Sequence, residues 1–142
     1  MKIMSVDFGD ARTGIAICDK SEMLASPLGV INEYNFDKAA EKVAKMATDN
    51  KAELIVVGHP VNMNGSIGER AEKCELFKDT VEKLCNIPAV LWDERGTTIT
   101  AHNILNVTDT RGKKRKNVVD AVAATIILEN YLQFRRNNKE NE

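Results

Sequence analysis

Long hydrophobic runs are missing from this chain of 142 residues. No apolar stretch approaches the roughly 20 residues that a membrane-spanning helix needs, which excludes a helical membrane protein. The opening residues MKIMSVDFGD place an acid where a secretion signal would be apolar. No small-residue cleavage pattern follows, so the expected location is the cytoplasm. Cysteine is scarce. Cys18, Cys74 and Cys85 are odd in number and form no CxxC pair, which argues against a disulfide framework or a zinc site. They read as small hydrophobes kept reduced. Net charge is only −1, so no whole-molecule field announces a polyanionic partner. Aromatic residues make up 5%, which leaves few platforms for base stacking. His59 and His102 stand far apart, and no Ser-His-Asp or Cys-His arrangement suggests nucleophilic catalysis.

The remaining composition, 43% hydrophobic and 29% charged, is that of one ordinary folded domain. Residues 2–8 read as a strand, GDAR as a tight connection, and 13–18 as a second strand returning antiparallel. A third strand over 23–31 follows a polar turn, and its Pro27 and Gly29 suit a sheet edge or a bulge. The period then changes. Ala39, Val43, Met46 and Ala47 recur at helical spacing over 36–50. ELIVVGH (53–59) is a continuous β-branched run of the kind found in parallel strands covered on both faces. A polar loop over 60–68 leads to a helix over 68–85 with Ala71, Cys74, Phe77, Val81 and Leu84 on its inner stripe. PAVLWDE (88–94) reads as a further buried strand, and 97–106 as a short helix with Thr97 or Thr98 as N-cap. A basic loop containing Arg111, Lys113, Lys114, Arg115 and Lys116 follows, then a long helix from about Asn117 to Phe134. The expected unit is a single domain over 1–136, with 137–142 as a disordered tail. The order βββ-α-β-α-β-α-α predicts an α/β domain with a mixed five-stranded sheet, three antiparallel strands followed by two parallel ones, flanked by helices. This is the element order of the RNase H-like fold, and ligands of such sheets gather at the carboxyl ends of the parallel strands.

Three acidic positions stand out against this pattern. Asp7 ends an apolar strand on the face of Ile3 and Ser5, opposite Met4, Val6 and Phe8. An unpaired carboxylate there costs several kcal/mol, so it must be paired, bound to a metal or placed at the rim. Gly9, Arg12 and Gly14 surround it with turn and phosphate-contact chemistry. Asp93 and Glu94 close the last strand on opposite faces, Glu94 with Val90 and Trp92, Asp93 with Leu91, and alternation leaves the choice between them open. Asp120 interrupts the apolar helix VVDAVAATIILENYL, where an ion pair with Lys116, four residues earlier, is the plain alternative to a functional role. Carboxylates on separate elements, flanked by Lys and Arg, suit Mg²⁺-type phosphodiester chemistry.

The blocks VDFGDARTGIAICD (6–19), ASPLGVI (25–31), IVVGHPVNMNGSIGERA (55–71), VLWDERGTTITAHNIL (90–105) and KKRKNVVDAVAATIILENYL (113–132) run through nearly the whole chain. In this order they resemble the YqgF/RuvX family, described both as Holliday junction resolvases and as pre-16S rRNA nucleases. The resemblance implies an RNase H-like fold and phosphodiester hydrolysis dependent on Mg²⁺ or Mn²⁺. It places the catalytic and metal-binding acids at Asp7, Glu94 and Asp120, with Asp93 as the alternative ligand. It also implies nucleic-acid or bracing roles for Arg12, Asn62, Ser66, Arg70, Arg95, Thr98, Lys114, Arg115 and Lys116, and structural roles for Gly9, Gly14 and Gly65. Gly96, His59 and Asn64 depart from the family pattern without removing an acid. The expected partner is a structured RNA precursor or branched DNA, bound by a monomer or weak homodimer, with RNA processing preferred. DFGDARTG also resembles the phosphate-binding turn of two-domain ATPases, of which this chain supplies one domain's length. A catalytically silent nucleic-acid-binding module is the third alternative.

Overall fold

A computed structural model describes residues 1–60, 67–93 and 112–140, with side chains in the last segment given for 121–137. Its element order is β1 (Ile3–Asp7), β2 (Arg12–Cys18), β3 (Ala25–Asn32), α1 (Phe36–Asp49), β4 (Leu54–His59), α2 (Glu69–Cys85), β5 (Ala89–Asp93) and α3 (Gly112–Glu140). The sheet has five strands in the order β3-β2-β1-β4-β5. β1 pairs antiparallel with β2 and parallel with β4, and β5 extends the parallel half. The expected mixed sheet is therefore present. β3 is an edge strand, as Pro27 and Gly29 foretold, and its ladder slips beside them, Ile15 facing Gly29 and Ala16 facing Pro27.

Strand alternation divides the interior into two layers. Met4, Val6 and Phe8 face α1 and α2, where Ala39, Val43, Cys74, Phe77 and Val81 meet Ile55 and Val57. Ile3, Ala16, Cys18 and Val56 face α3 and bury Ala124, Ile127, Leu128 and Leu132. α1 starts where the Asn35 side chain accepts the Lys38 amide, a conventional N-cap. Leu84, expected on the inner stripe of α2, is half exposed, while its neighbour Cys85 packs against the core of this layer.

α3 departs from expectation at both ends. It begins at Gly112, so Lys113, Lys114, Arg115 and Lys116 belong to its first turns and not to a loop. Basic side chains at a helix N-terminus oppose its dipole, which is why the stretch reads locally as non-helical. The helix also runs past Phe134 to Glu140. There Arg135 Nε donates to Glu22 at 2.7 Å, and the amino group of Met1 reaches the same carboxylate at 3.0 Å. Arg136 reaches the Glu22 carbonyl at 3.5 Å.

These partners, the Arg135 hydrogen bond foremost, hold the Glu22 carboxyl down to about 2, against an ordinary value of 4.5. A carboxyl depressed on folding adds stability above its unfolded value, and that stability is lost as pH falls towards the folded value. Glu22→Gln should therefore lower stability at pH 7 by up to about 3 kcal/mol. The gap from the parent should close between about pH 5 and pH 2 in thermal unfolding followed across pH.

Candidate active site at the carboxyl edge of the sheet

Asp7 is the last residue of β1 and is half-buried. Its antiparallel partner is Gly14, which places no side chain beside it. Arg12 begins β2 two residues nearer the edge, on the face of Gly14 and Ala16. Neither Asp7 nor Arg12 is without a partner. Between β1 and β2 the chain turns so tightly that a Cβ on Gly9 would collide with the Arg12 carbonyl oxygen. Glycine is therefore required at position 9, as the sequence indicated.

The buried Ser5 hydroxyl fixes which helix covers this face. Its Oγ donates to the Ala124 carbonyl of α3 at 2.6 Å. α3 runs antiparallel to β1, since Arg135 lies beside Glu22 and Met1 at the opposite end of the strand. From the Ser5–Ala124 contact, Asp7 lies two residues on, about 6.7 Å along the strand. Position 120 lies one turn back along α3, about 6 Å along the helix axis and on the same helical row. The two acids are thus advanced by similar distances towards one edge of the sheet. The Asp120 side chain, like those of Lys114, Arg115 and Lys116, lies outside the described ones.

β5 bears on the choice between Asp93 and Glu94. Val90 and Trp92 pack on the α3 layer, whereas Ala89 and Leu91 join the α1–α2 layer. Asp93 continues the row of Leu91 and pairs in register with His59. The His59 Nε2 itself lies 3.8 Å from Glu75 of α2. Asp93 therefore sits on the face opposite Asp7, and it too is engaged. Glu94, Arg95 and Thr98 lie outside the described residues, as do Asn62, Gly65, Ser66 and the expected helix over 97–106.

Arg70 takes a place that the sequence did not reveal. Its Nη2 donates to the Phe8 carbonyl at 2.7 Å, and Nη1 lies 3.8 Å from Asp10. Lys73, one turn further along α2, donates to Asp10 at 2.8 Å and holds that carboxyl below its ordinary range. The alternating i, i+3 spacing of Arg70 and Lys73 was visible in the sequence, but their partners in the β1–β2 turn were not. Trp92, Tyr131 and Phe134 gather on the α3 side, with Trp92 and Phe134 ring centroids 5.4 Å apart.

Among the described residues no group of three His, Cys, Asp or Glu side chains could hold a metal ion. Two of the three expected acids are not among the described side chains, so the fit rests on donor chemistry. Among the described residues Asp7 brings a carboxylate to this end of the sheet, an oxygen donor that suits a hard ion of the Mg²⁺ or Mn²⁺ type.

A mixed sheet of this order, three antiparallel strands continued by two parallel ones and covered by helices on both faces, defines an RNase H-like domain. Solved structures share it at the level of fold. RuvC of Thermus thermophilus superposes with a TM-score of 0.58 at 14% identity, covering 96% of this chain and 97% of that one. The fowlpox virus Holliday junction resolvase gives 0.55 at 12% identity, covering 94% and 99%.

The chain belongs to the RuvX family, whose model, described as Holliday junction resolvase, matches residues 1–134. A relative from Halothermothrix orenii named "Putative pre-16S rRNA nuclease" is 42% identical over 94% of this chain and 96% of its own length. A Bacillus subtilis protein of the same name is 37% identical over 93% and 97%. No helix among the described residues is long and apolar enough to cross a membrane.

Proposed function

We propose that the chain is a cytoplasmic, divalent-metal-dependent endonuclease that hydrolyses phosphodiester bonds in the processing of the 5′ end of pre-16S rRNA. The observation carrying the chemistry is the Ser5–Ala124 contact, which brings Asp7 and position 120 to one edge. The choice of RNA rests on the shared name of relatives that match at 37–42% identity over nearly the full chain.

In this reading Asp7, Glu94 and Asp120 hold Mg²⁺ or Mn²⁺. A bound ion of this kind activates water and offsets charge on the phosphate oxygens. The protein's own contribution is placement and charge. Asp7 is fixed by a strand end and a glycine turn. Asp120 is fixed by a helix anchored through Ser5. Arg12, on the same face and nearer the edge, draws a phosphate towards the acids. Lys114, Arg115 and Lys116 oppose the dipole of α3 in the free protein, and a polyanion there relieves that repulsion. Their contacts are sequence-independent and should weaken steeply with salt. Asn62, Ser66, Arg95 and Thr98 are assigned further phosphate contacts, and Gly65 a structural turn, on family resemblance. The protein acts as a monomer or weak homodimer.

A second reading, cleavage of four-way DNA junctions, is favoured by the description of the family model. Cleavage of precursor rRNA and of a four-way junction should be compared under identical metal and salt. The expected result is specific cutting near the 5′ end of the rRNA and little on the junction. Preferential, symmetric cutting of the junction would replace the RNA assignment. Tight ATP binding with no cleavage of either would overturn the nuclease reading itself.

A further inference from the structure

We propose that Arg70 is a positioning residue for Asp7 and not a phosphate contact, a proposal that rests on reading Asp7 as a catalytic acid. The β1–β2 ladder ends with the pair Asp7 and Gly14, so beyond Asp7 strand pairing no longer holds the chain. α2 takes over at the next residue. The Phe8 ring stacks on Phe77 with centroids 4.2 Å apart, and the Phe8 carbonyl accepts the Arg70 guanidinium at 2.7 Å. Lys73 adds a third hold by its ion pair with Asp10 at 2.8 Å.

Phe77, with Ala71, Cys74 and Val81, is buried against the sheet, so α2 is a firm base from which to grip. The Phe8 side chain and the Phe8–Gly9 peptide, the first residue beyond Asp7, are thereby held from the side opposite the acid. Phe8 faces α2, whereas Asp7 lies on the α3 side. One guanidinium arm is spent on a backbone carbonyl and the other lies near Asp10. Such a group is poorly placed to meet a phosphate at the Asp7 face. Misplacing a reacting group by about 1 Å can cost up to about a hundred-fold in rate, so losing this grip should be felt in turnover.

The test compares Arg70→Met, Arg70→Lys and Lys73→Met with the parent and with Asp7→Asn. Two quantities are read: single-turnover cleavage, and the affinity for uncut precursor RNA in chelator across a salt series. Positioning predicts that Arg70→Met lowers the cleavage rate about ten-fold, while its RNA affinity and salt slope match the parent. Arg70→Lys, which retains a donor for the Phe8 carbonyl, should recover part of the rate, and Lys73→Met should lose only about two- to three-fold because its ion pair is exposed. A salt slope reduced by about one, with affinity weakened at low salt, would identify a phosphate contact and overturn the proposal. A parental rate in the Arg70 variants would also overturn it. If Arg70→Met does not fold, Arg70→Lys decides on the same two readouts. Asp7→Asn separates the two levels: parental cutting by that variant removes the catalytic reading, whereas parental cutting by the Arg70 variants alone removes only the positioning role.

Discussion

Asp7→Asn is expected to lower cleavage by at least about a hundred- to a thousand-fold, the usual loss when one preorganised electrostatic group leaves a hydrolytic centre. The substitution keeps shape and hydrogen-bonding capacity but removes the charge that would hold a divalent ion. β1 should survive it, because its ladder to β2 and β4 is built from backbone groups and its core residues Ile3, Met4 and Val6 are untouched. Carboxylates gathered at one edge repel one another when no cation is present. The variant should therefore melt at or above the parental temperature in chelator. With Mn²⁺ added, the parent should gain stability through binding linkage and the variant should gain much less. Asp120→Asn should behave alike, since the Ser5–Ala124 contact brings its helix position to the same edge.

The second large effect separates two adjacent acids. Glu94→Gln should resemble Asp7→Asn, whereas Asp93→Asn should cut within a few-fold of the parent. Asp93 shares a row with Leu91 and His59 on the α1–α2 side. Val90 and Trp92 lie on the side of Asp7, and the alternation read from the sequence groups Glu94 with them. A difference of about two orders of magnitude between neighbouring acid-to-amide changes is what the sequence alternation of the two acids predicts. Cleavage rates for the two variants under one metal concentration are sufficient to measure it.

Much of this frame was legible in the residues. β-branched runs and helical spacing gave the element order, and Pro27 with Gly29 marked the edge strand. Asp7 was visible as a charge within an apolar strand, and Gly9 as the glycine of its turn. Other features depend on partners distant in sequence. The first turns of α3 carry Lys113 to Lys116 against the helix dipole, so local preference favoured a loop. Its continuation past Phe134 is polar and bears no apolar stripe, and Arg135 is anchored there by Glu22, 113 residues away. The face of Asp93 could not be assigned until β5 was set in register with β4. Family resemblance left Arg70 between a nucleic-acid contact and a brace, and its partner, the Phe8 carbonyl, is visible only in the folded chain.

Cleavage of precursor rRNA by chelator-treated protein, followed as Mn²⁺ is restored, tests the central claim most directly. The account predicts no cutting without the ion, saturable recovery in the parent, and no comparable recovery in Asp7→Asn. Parental cutting in chelator, or equal recovery in Asp7→Asn, would contradict a metal-dependent site built on this edge of the sheet.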